Sequence, residues 1–401
     1  MDNNKKEIFT LDNGIKVLII PLNTQLTHVG VNIKLGDSHE KPSEMEVTHY
    51  MEHIMAKFTS DKYGDYKKIN NELYKRGAYT NAFVNRDTTG FFISGLYKDF
   101  EFYLDLLSNT ISNFKIEKSI INQEKNAVIQ ELRNYMMHND YLFSIKIWKY
   151  MYPKFFYQAD YKKHINHIKK YDVSKIKNFI KSHILLHNIL LSISCPLNKI
   201  NITKKLVKKY FSFKNNNKNG IITYPNYQLN NNLFKIIFIK NHVNTDNTII
   251  KLFLEIHIEI YSKFHLSLEI FKMAFFNFET GIFYKVFRDQ LGLIYNIDMS
   301  LDVNIQNPDI SYVNISSNVK NNKIADFMNI FIKLIKGLTL SRNDFDDTIN
   351  IIILNHEYLK FNDLTSYNTY YQQFIINNKP IIESTEVIKR FKKLSYNETL
   401  Y

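Results

Sequence analysis

Cysteine, glycine and proline are all scarce in this chain. Of its 401 residues one is cysteine, 11 are glycine and 7 are proline. A single thiol cannot form an internal disulfide, which excludes a disulfide-stapled secreted scaffold and points to a reducing compartment. That thiol, Cys195, closes the run Leu190-Leu191-Ser192-Ile193-Ser194. The run has the make-up of a buried strand, so Cys195 is expected as a small core residue and not as a nucleophile. With so little glycine and proline, long flexible linkers are not expected, and most of the chain should be regular structure. Long apolar runs are also missing. Stretches such as Ile351–Leu354 fall far short of the ~20 residues that span a bilayer, so no membrane partner is expected. The N-terminus, Met-Asp-Asn-Asn-Lys-Lys, passes straight into Ile8-Phe9-Thr10-Leu11. It has neither the apolar core of a signal peptide nor an Arg-rich presequence, and the expectation is a cytoplasmic protein.

Apolar residues are plentiful, at 45%, against 23% charged, which is the balance of a globular chain. Its length suits two or three domains. The net charge is +13. Such a charge can serve nucleic-acid contact. Here the lysines are scattered among Asn, Ile and Tyr, and clusters such as Lys204-Lys205 and Lys208-Lys209 fit a solvated helix face. No nucleic-acid motif accompanies them, so no such partner is expected.

Periodicity divides the chain in two. The turn Asp12-Asn13-Gly14 precedes a strand at Ile15–Ile20, and Val29–Leu35 alternates as a second strand. Helices follow at Ser43–Phe58 and Tyr66–Arg76, then a strand pair at Asn81–Val84 and Gly90–Leu96. Helical patterns run over Phe100–Asn113, Lys118–Met137 and Val173–His187, before the Leu190–Ser194 strand and a helix at Lys199–Tyr210. Residues 213–232 are polar and Asn-rich and read as a linker. Beyond it the order begins again, with strands at Lys235–Ile239 and Ile249–Ile260, helices from Leu266 to Glu279 and before Gly292, then strands at Ile297–Val303 and Ile310–Ser316. The fold class is therefore α+β, with two homologous domains, 1–212 and 233–401, each a mostly antiparallel sheet packed with helices. The second stops at Lys393-Leu394-Ser395, where a closing helix and strand to match the first domain's are expected, so it reads as trimmed.

The chemistry concentrates in His49-Tyr50-Met51-Glu52-His53. On a helix, residues at i and i+4 lie one above the other, so both imidazoles can reach one ion. Zinc accepts neutral imidazole nitrogen, and Glu52, one residue before His53, can reach a water held there and take its proton. The plainer reading is a helix that happens to carry two histidines and a glutamate. A third ligand has to come from elsewhere. Glu124 and Glu131 stand seven apart on one predicted helix, so they share a face. Glu131 can bind the metal while Glu124 supports a ligand by a hydrogen bond, though both also read as solvated helix carboxylates.

The motif His-x-x-Glu-His, followed by Glu131 about 78 positions on with Glu124 seven before it, resembles the pitrilysin/insulinase family of inverted zincins. Leu11-Asp12-Asn13-Gly14 with Val17, Gly36-Asp37-Ser38-His39-Glu40, Gly77-Ala78-Tyr79-Thr80-Asn81-Ala82 and Asp87-Thr88-Thr89 are similar to segments of that family in the same order. So is Gly281 through Arg288-Asp289-Gln290-Leu291-Gly292-Leu293-Ile294-Tyr295. One departure is Val47-Thr48 before His49, where the family usually has a small residue with glycine nearby.

The resemblance implies paired α+β domains forming half of a clamshell chamber, and a zinc endopeptidase acting on unfolded peptides or processing signals. It implies one zinc per chain on His49, His53 and Glu131, with Glu124 behind them and Glu52 as general base. Asn81 and Ala82 would lie on an edge strand that binds extended substrate, with loose specificity. Arg288 and Tyr295 would grip the substrate and stabilise the developing oxyanion. Read alone, those two are a solvent-exposed arginine and a core tyrosine, one of 27 in the chain. Because the family's chamber needs four domains, two chains are implied, as a homodimer with Arg288 and Tyr295 acting on the partner's metal site. The alternative is a non-catalytic peptide-binding or scaffolding relative.

Overall fold

The strand expected from Ile15 begins at Lys16, directly after the Asp12–Gly14 turn, and takes a strand on each side. A computed structural model describes residues 6–57, 59–113, 115, 117–138, 140–152, 159–214, 246–305, 308, 311–362 and 364–399. The sheet strands are β1 (Glu7–Thr10), β2 (Lys16–Leu22), β3 (Leu26–Ile33), β4 (Tyr79–Val84), β5 (Thr89–Leu96) and β6 (Ile189–Pro196). They lie in the order β1-β2-β6-β3-β5-β4. All pairings are antiparallel except β2 with β6. β4 is therefore an edge, paired with β5 alone.

Alternation sorts the two faces of this sheet. Val17, Ile19, Val29, Val31, Leu191, Ile193 and Cys195 enter the main apolar core, which settles Cys195 as a core residue. Helices bury their apolar stripes against that core: α1 (Val47–Ala56), α2 (Tyr66–Lys75), α3 (Phe100–Ser112), α4 (Lys118–Met137), α6 (Tyr161–Lys170), α7 (Val173–His183) and α8 (Ile200–Phe211). α5 (Asp140–Met151) joins α4 and α6 in sequence. Neither α5 nor α6 is expected from the sequence pattern. α1 starts later than the expected Ser43, because Glu46 takes a left-handed backbone with φ 65° just before it. Gly36 is required as glycine, since any Cβ there would collide with the backbone of Asn85 and Arg86.

The second unit holds β7 (Asn247–Ile256), α9 (Lys263–Phe276), α10 (Ile282–Tyr284), which runs into a π turn at Lys285–Gln290, β8 (Ile294–Asp302), β9 (Ser311–Lys320), α11 (Ile324–Lys336) and α12 (Arg342–Asn362). Its described strands form an antiparallel sheet in the order β7-β9-β8. The core is dense in phenylalanine: Phe275, Phe276, Phe283, Phe287, Phe327 and Phe331 pack together. The expected strand at Lys235–Ile239 and nearly all of the expected linker lie outside the described residues.

One expected boundary is overturned. The stretch 233–401 does not stay together, because α13 (Leu364–Ile376) belongs to the first unit, while α14 (Ser384–Lys393) returns to the second. The reason is on the other face of the first sheet. There His28, Asn32, Ser192 and Ser194 are all buried, and buried polar groups need partners. α13 packs on β6 and β3, and Asn368 Nδ2 donates to Ser194 Oγ at 2.6 Å. Within the sheet, Asn32 Nδ2 donates to Ser192 Oγ at 3.0 Å.

Candidate metal centre

α1 packs against α4, and this pairing builds the site. The Nε2 atoms of His49 and His53 lie 3.2 Å apart. Glu131 Oε2 stands 3.6 Å from His49 Nε2 and 3.5 Å from His53 Nε2. Ligand atoms on a tetrahedral zinc at about 2.0–2.1 Å stand roughly 3.3 Å from one another. Two imidazole nitrogens and one carboxylate oxygen at these separations fit such an ion, and leave a fourth position open. All three side chains are partly exposed, so an ion can reach them.

The surroundings hold each donor in place. His53 Nδ1 donates to Glu124 Oε2 at 3.1 Å, and Lys57 Nζ donates to Glu124 Oε1 at 2.5 Å. Tyr135 donates its hydroxyl to Glu131 Oε1 at 2.9 Å. His49 Nδ1 donates to Glu46 Oε1 at 2.6 Å, and His164 Nδ1 donates to Glu46 Oε2 at 2.6 Å. Burial would raise the Glu46 carboxyl, but the His164 and His49 imidazoles outweigh it and bring it down to about 2. Burial would likewise depress His49, and Glu46 overcomes it, so His49 is raised. Glu52 is 8% exposed, with Oε2 3.9 Å from His53 Nε2. Burial pushes its carboxyl up, against the pull of the two imidazoles, which is the direction that suits a proton acceptor. Glu40 accepts from the backbone N–H of Glu46 at 2.6 Å and of Thr48 at 2.7 Å, and so fixes the start of α1.

These side chains line a cleft of roughly 620 Å³, and β4 contributes Asn81, Ala82, Phe83 and Val84 to its wall. Asn81 is exposed and Ala82 half-buried. Asn81 Oδ1 accepts from the Ala82 N–H at 2.9 Å. Arg288 and Tyr295 lie in the second unit, on the π turn and on β8. The Arg288 guanidinium sits 5.0 Å from the Tyr295 ring centroid and 5.0 Å from that of Tyr284, and Tyr295 is 72% exposed.

Of the expected site residues, His49, Glu52, His53, Glu124, Glu131, Asn81 and Ala82 thus converge on one cleft. Arg288 and Tyr295 meet each other. Sequence reading misses Glu46, His164 and Tyr135, while Glu40 enters it only as the end of the Gly36–Glu40 segment. Glu46 stands three residues before His49, a helical neighbour spacing that could have flagged it. His164, on α6, gives no local signal.

Residues 16–151 match the family model described as insulinase (peptidase family M16), and residues 170–352 match the M16 inactive domain. The chain belongs to the insulinase family. Insulinase-family relatives include mitochondrial-processing peptidase subunit beta of Dictyostelium discoideum, 30% identical over 136 residues, which is 34% of this chain and 27% of the relative. Cytochrome b-c1 complex subunit 1 of Bos taurus is 29% identical over 32% of this chain and 26% of its own length. The zinc protease YmxG of Bacillus subtilis, itself uncharacterized, is 27% identical over 32% of this chain and 31% of its own length. The matched stretches therefore span about a quarter to a third of these relatives. Among solved structures, a protease from Helicobacter pylori superposes with a TM-score of 0.82 at 16% identity, covering 99% of this chain and 95% of that one. At that identity the likeness establishes the fold: two α+β units of the insulinase type. No helix among the described residues is long and apolar enough to cross a membrane.

Proposed function

We propose that this chain is a zinc-dependent endopeptidase acting on unfolded peptides or processing signals. The observation that carries the reading is the separation of the three donors, 3.2, 3.5 and 3.6 Å, with the Glu52 carboxylate beside them. His49, His53 and Glu131 would hold one zinc per chain. When bound, zinc supplies Lewis acidity toward a water and a peptide carbonyl. Glu52 accepts the water's proton at its buried carboxylate. Glu124 orients His53 through Nδ1. The open edge of β4 takes an extended peptide by backbone pairing, with Asn81 and Ala82 beside it. Arg288 and Tyr295 grip the substrate, with Tyr295 donating to the developing oxyanion.

The test is Glu52→Gln. An amide cannot accept the proton, so zinc content should stay at one per chain while peptide hydrolysis falls about 10²–10⁴-fold. Near-wild-type hydrolysis by this variant would remove Glu52 from the role of base. A second reading, a non-catalytic peptide-binding relative, is favoured by the near-equal identity to the b-c1 complex subunit and by the match to an inactive domain. The intact donor set argues for the enzyme. Absence of zinc from reconstituted protein would favour the second reading.

The assembly we propose is a homodimer, in which Arg288 and Tyr295 of one chain serve the metal site of the other. Mixing Glu52→Gln with Tyr295→Phe should then restore part of the activity that each variant lacks alone. Subunit exchange without any recovery would defeat this arrangement. A cytoplasmic location accords with the lone, buried Cys195.

A further inference from the structure

The two histidines of the candidate centre are held in the same way. Each donates Nδ1–H to a carboxylate, which leaves Nε2 as the free lone pair facing Glu131. For His53 the carboxylate is Glu124, whose other oxygen is tied to Lys57 Nζ at 2.5 Å. For His49 it is Glu46, whose other oxygen is tied to His164 Nδ1 at 2.6 Å. Both anchoring carboxylates are largely shielded from solvent. Glu124 is 1% exposed, the Glu46 side chain 12% and the His164 side chain 6%.

The Glu46 arm carries a backbone cost. Glu46 has φ 65°, a left-handed conformation that a residue with a long side chain adopts only when its surroundings impose it. Three contacts impose it here. The Glu46 N–H is held by Glu40 Oε2 at 2.6 Å, its carbonyl accepts the Tyr50 N–H at 3.1 Å, and its carboxylate is clamped by two imidazoles. Glycine would take this backbone without strain. A glutamate there gives up backbone stability, and the structure gains a fixed His49 ring.

We infer that Glu46 and His164 are positioning residues of the metal centre: Glu46 sets the tautomer and ring angle of His49, and His164 sets Glu46. This rests on the reading of His49, His53 and Glu131 as metal ligands. It adds a second anchor, built from α6, to the one that α4 supplies. A rigid set of ligands needs its orienting partners, and their loss commonly weakens metal affinity about 10–100-fold. His164 reaches Glu46 from α6, which packs on α4, so the centre depends on three helices and not on two.

The experiment measures zinc affinity by competition with a chromogenic chelator, the visible spectrum of the cobalt-substituted protein, and the thermal midpoint of the metal-free protein. The variants are Glu46→Gln, Glu46→Gly and His164→Ala, with Glu124→Gln and His53→Ala as references. Glu46→Gln should weaken zinc about 10–100-fold, as Glu124→Gln does, and shift the cobalt bands. Glu46→Gly should weaken zinc as much, while the strained φ it relieves offsets part of the stability lost with the two imidazole contacts in the metal-free midpoint. His164→Ala should fall between wild type and Glu46→Gln. A purely structural role for Glu46 predicts the reverse for Glu46→Gln: a lower midpoint with unchanged cobalt bands. Wild-type zinc affinity in both Glu46 variants, with Glu124→Gln weakened, would overturn the inference and leave the metal site standing. Wild-type protein that binds zinc no better than His53→Ala would instead overturn the metal reading itself.

Discussion

The two units solve the same packing problem and put it to different use. In the first, α1 lies on α4; in the second, α9 lies on α12. The α1/α4 seam brings His49, Glu52 and His53 against Glu124 and Glu131. The corresponding seam carries Leu266 and Ile270 on α9 and Ile349, Ile352 and Ile353 on α12, all within the apolar core. Among the described residues, the one group able to hold a metal is His49, His53 and Glu131, in the first unit. The scaffold is shared and the chemistry is not. A helix pair can be filled with apolar side chains and gain stability, or opened to titratable ones at the cost of burying them. Two buried acids of the first unit, Glu40 and Glu52, are pushed up by burial, which is the signature of that cost.

The comparison breaks first at His53. His53→Ala removes a donor from the only such group among the described residues, and should abolish both zinc binding and peptide hydrolysis, read by elemental analysis and a fluorogenic peptide. Retention of one zinc per chain would mean the donor set is elsewhere. The converse change lies in the second unit. Phe287 is fully buried, with its ring centroid 4.7 Å from Phe327 and 6.0 Å from Phe283. Phe287→Ala should destabilise the chain by about 3–5 kcal/mol, as large-to-small core changes do, while zinc affinity stays at the wild-type value. Urea unfolding and chelator competition on the same sample separate the two effects. A loss of zinc affinity would show that the centre depends on the second unit's packing.

How far the sequence reveals this follows from the range of each interaction. The strand alternation at β2, β3 and β6 and the four-residue step from His49 to His53 are local, so both are legible in the amino-acid order alone. The Glu124–Glu131 helix is legible too, because seven residues close two turns. α5 is hidden by its own composition: Tyr141, Phe143, Ile145, Ile147 and Trp148 favour strand by propensity, and tertiary context overrides it. The return of α13 is invisible because its cause lies in another part of the chain. The polar stripe of His28, Asn32, Ser192 and Ser194 needs a cover, and nothing in residues 364–376 announces that they provide it. His164 is hidden for the same reason, since its partner Glu46 is reached only through the tertiary fold.

Acid should separate the two units. In the second, His265 Nδ1 accepts the backbone N–H of Tyr261 at 2.8 Å, a contact that exists only in the neutral ring. Burial, with Lys272 adding to it, pushes His265 down to about 4. Glu269 Oε1 is 3.8 Å from Nε2, and Arg390 from α14 donates to the Tyr261 carbonyl at 3.1 Å. His356 is also lowered by burial. A histidine whose folded value lies below the unfolded 6.5 contributes its full stability above about pH 6.5 and loses it as the pH falls toward 4. Between pH 7 and 5 the loss for His265 is on the order of 2 kcal/mol. In the first unit His39 is likewise pushed down by burial to about 4, but Glu40, buried and raised well above its usual range, works the other way. That acid binds a proton more readily folded than unfolded, so acidification favours the folded state through it. The first unit's loss is therefore offset, and the second unit's is not. Trp148 is the sole tryptophan and lies on α5, so its fluorescence follows the first unit, while the helical signal at 222 nm follows both. In metal-free protein at intermediate urea, lowering the pH from 7 to 5 should move the 222 nm transition ahead of the Trp148 transition. His265→Gln keeps an oxygen for the Tyr261 N–H without titrating, and should bring the two transitions back together. Coincident transitions in the wild type at pH 5 would show that the units share one acid response, and that the contrast between their buried groups does not reach their stability.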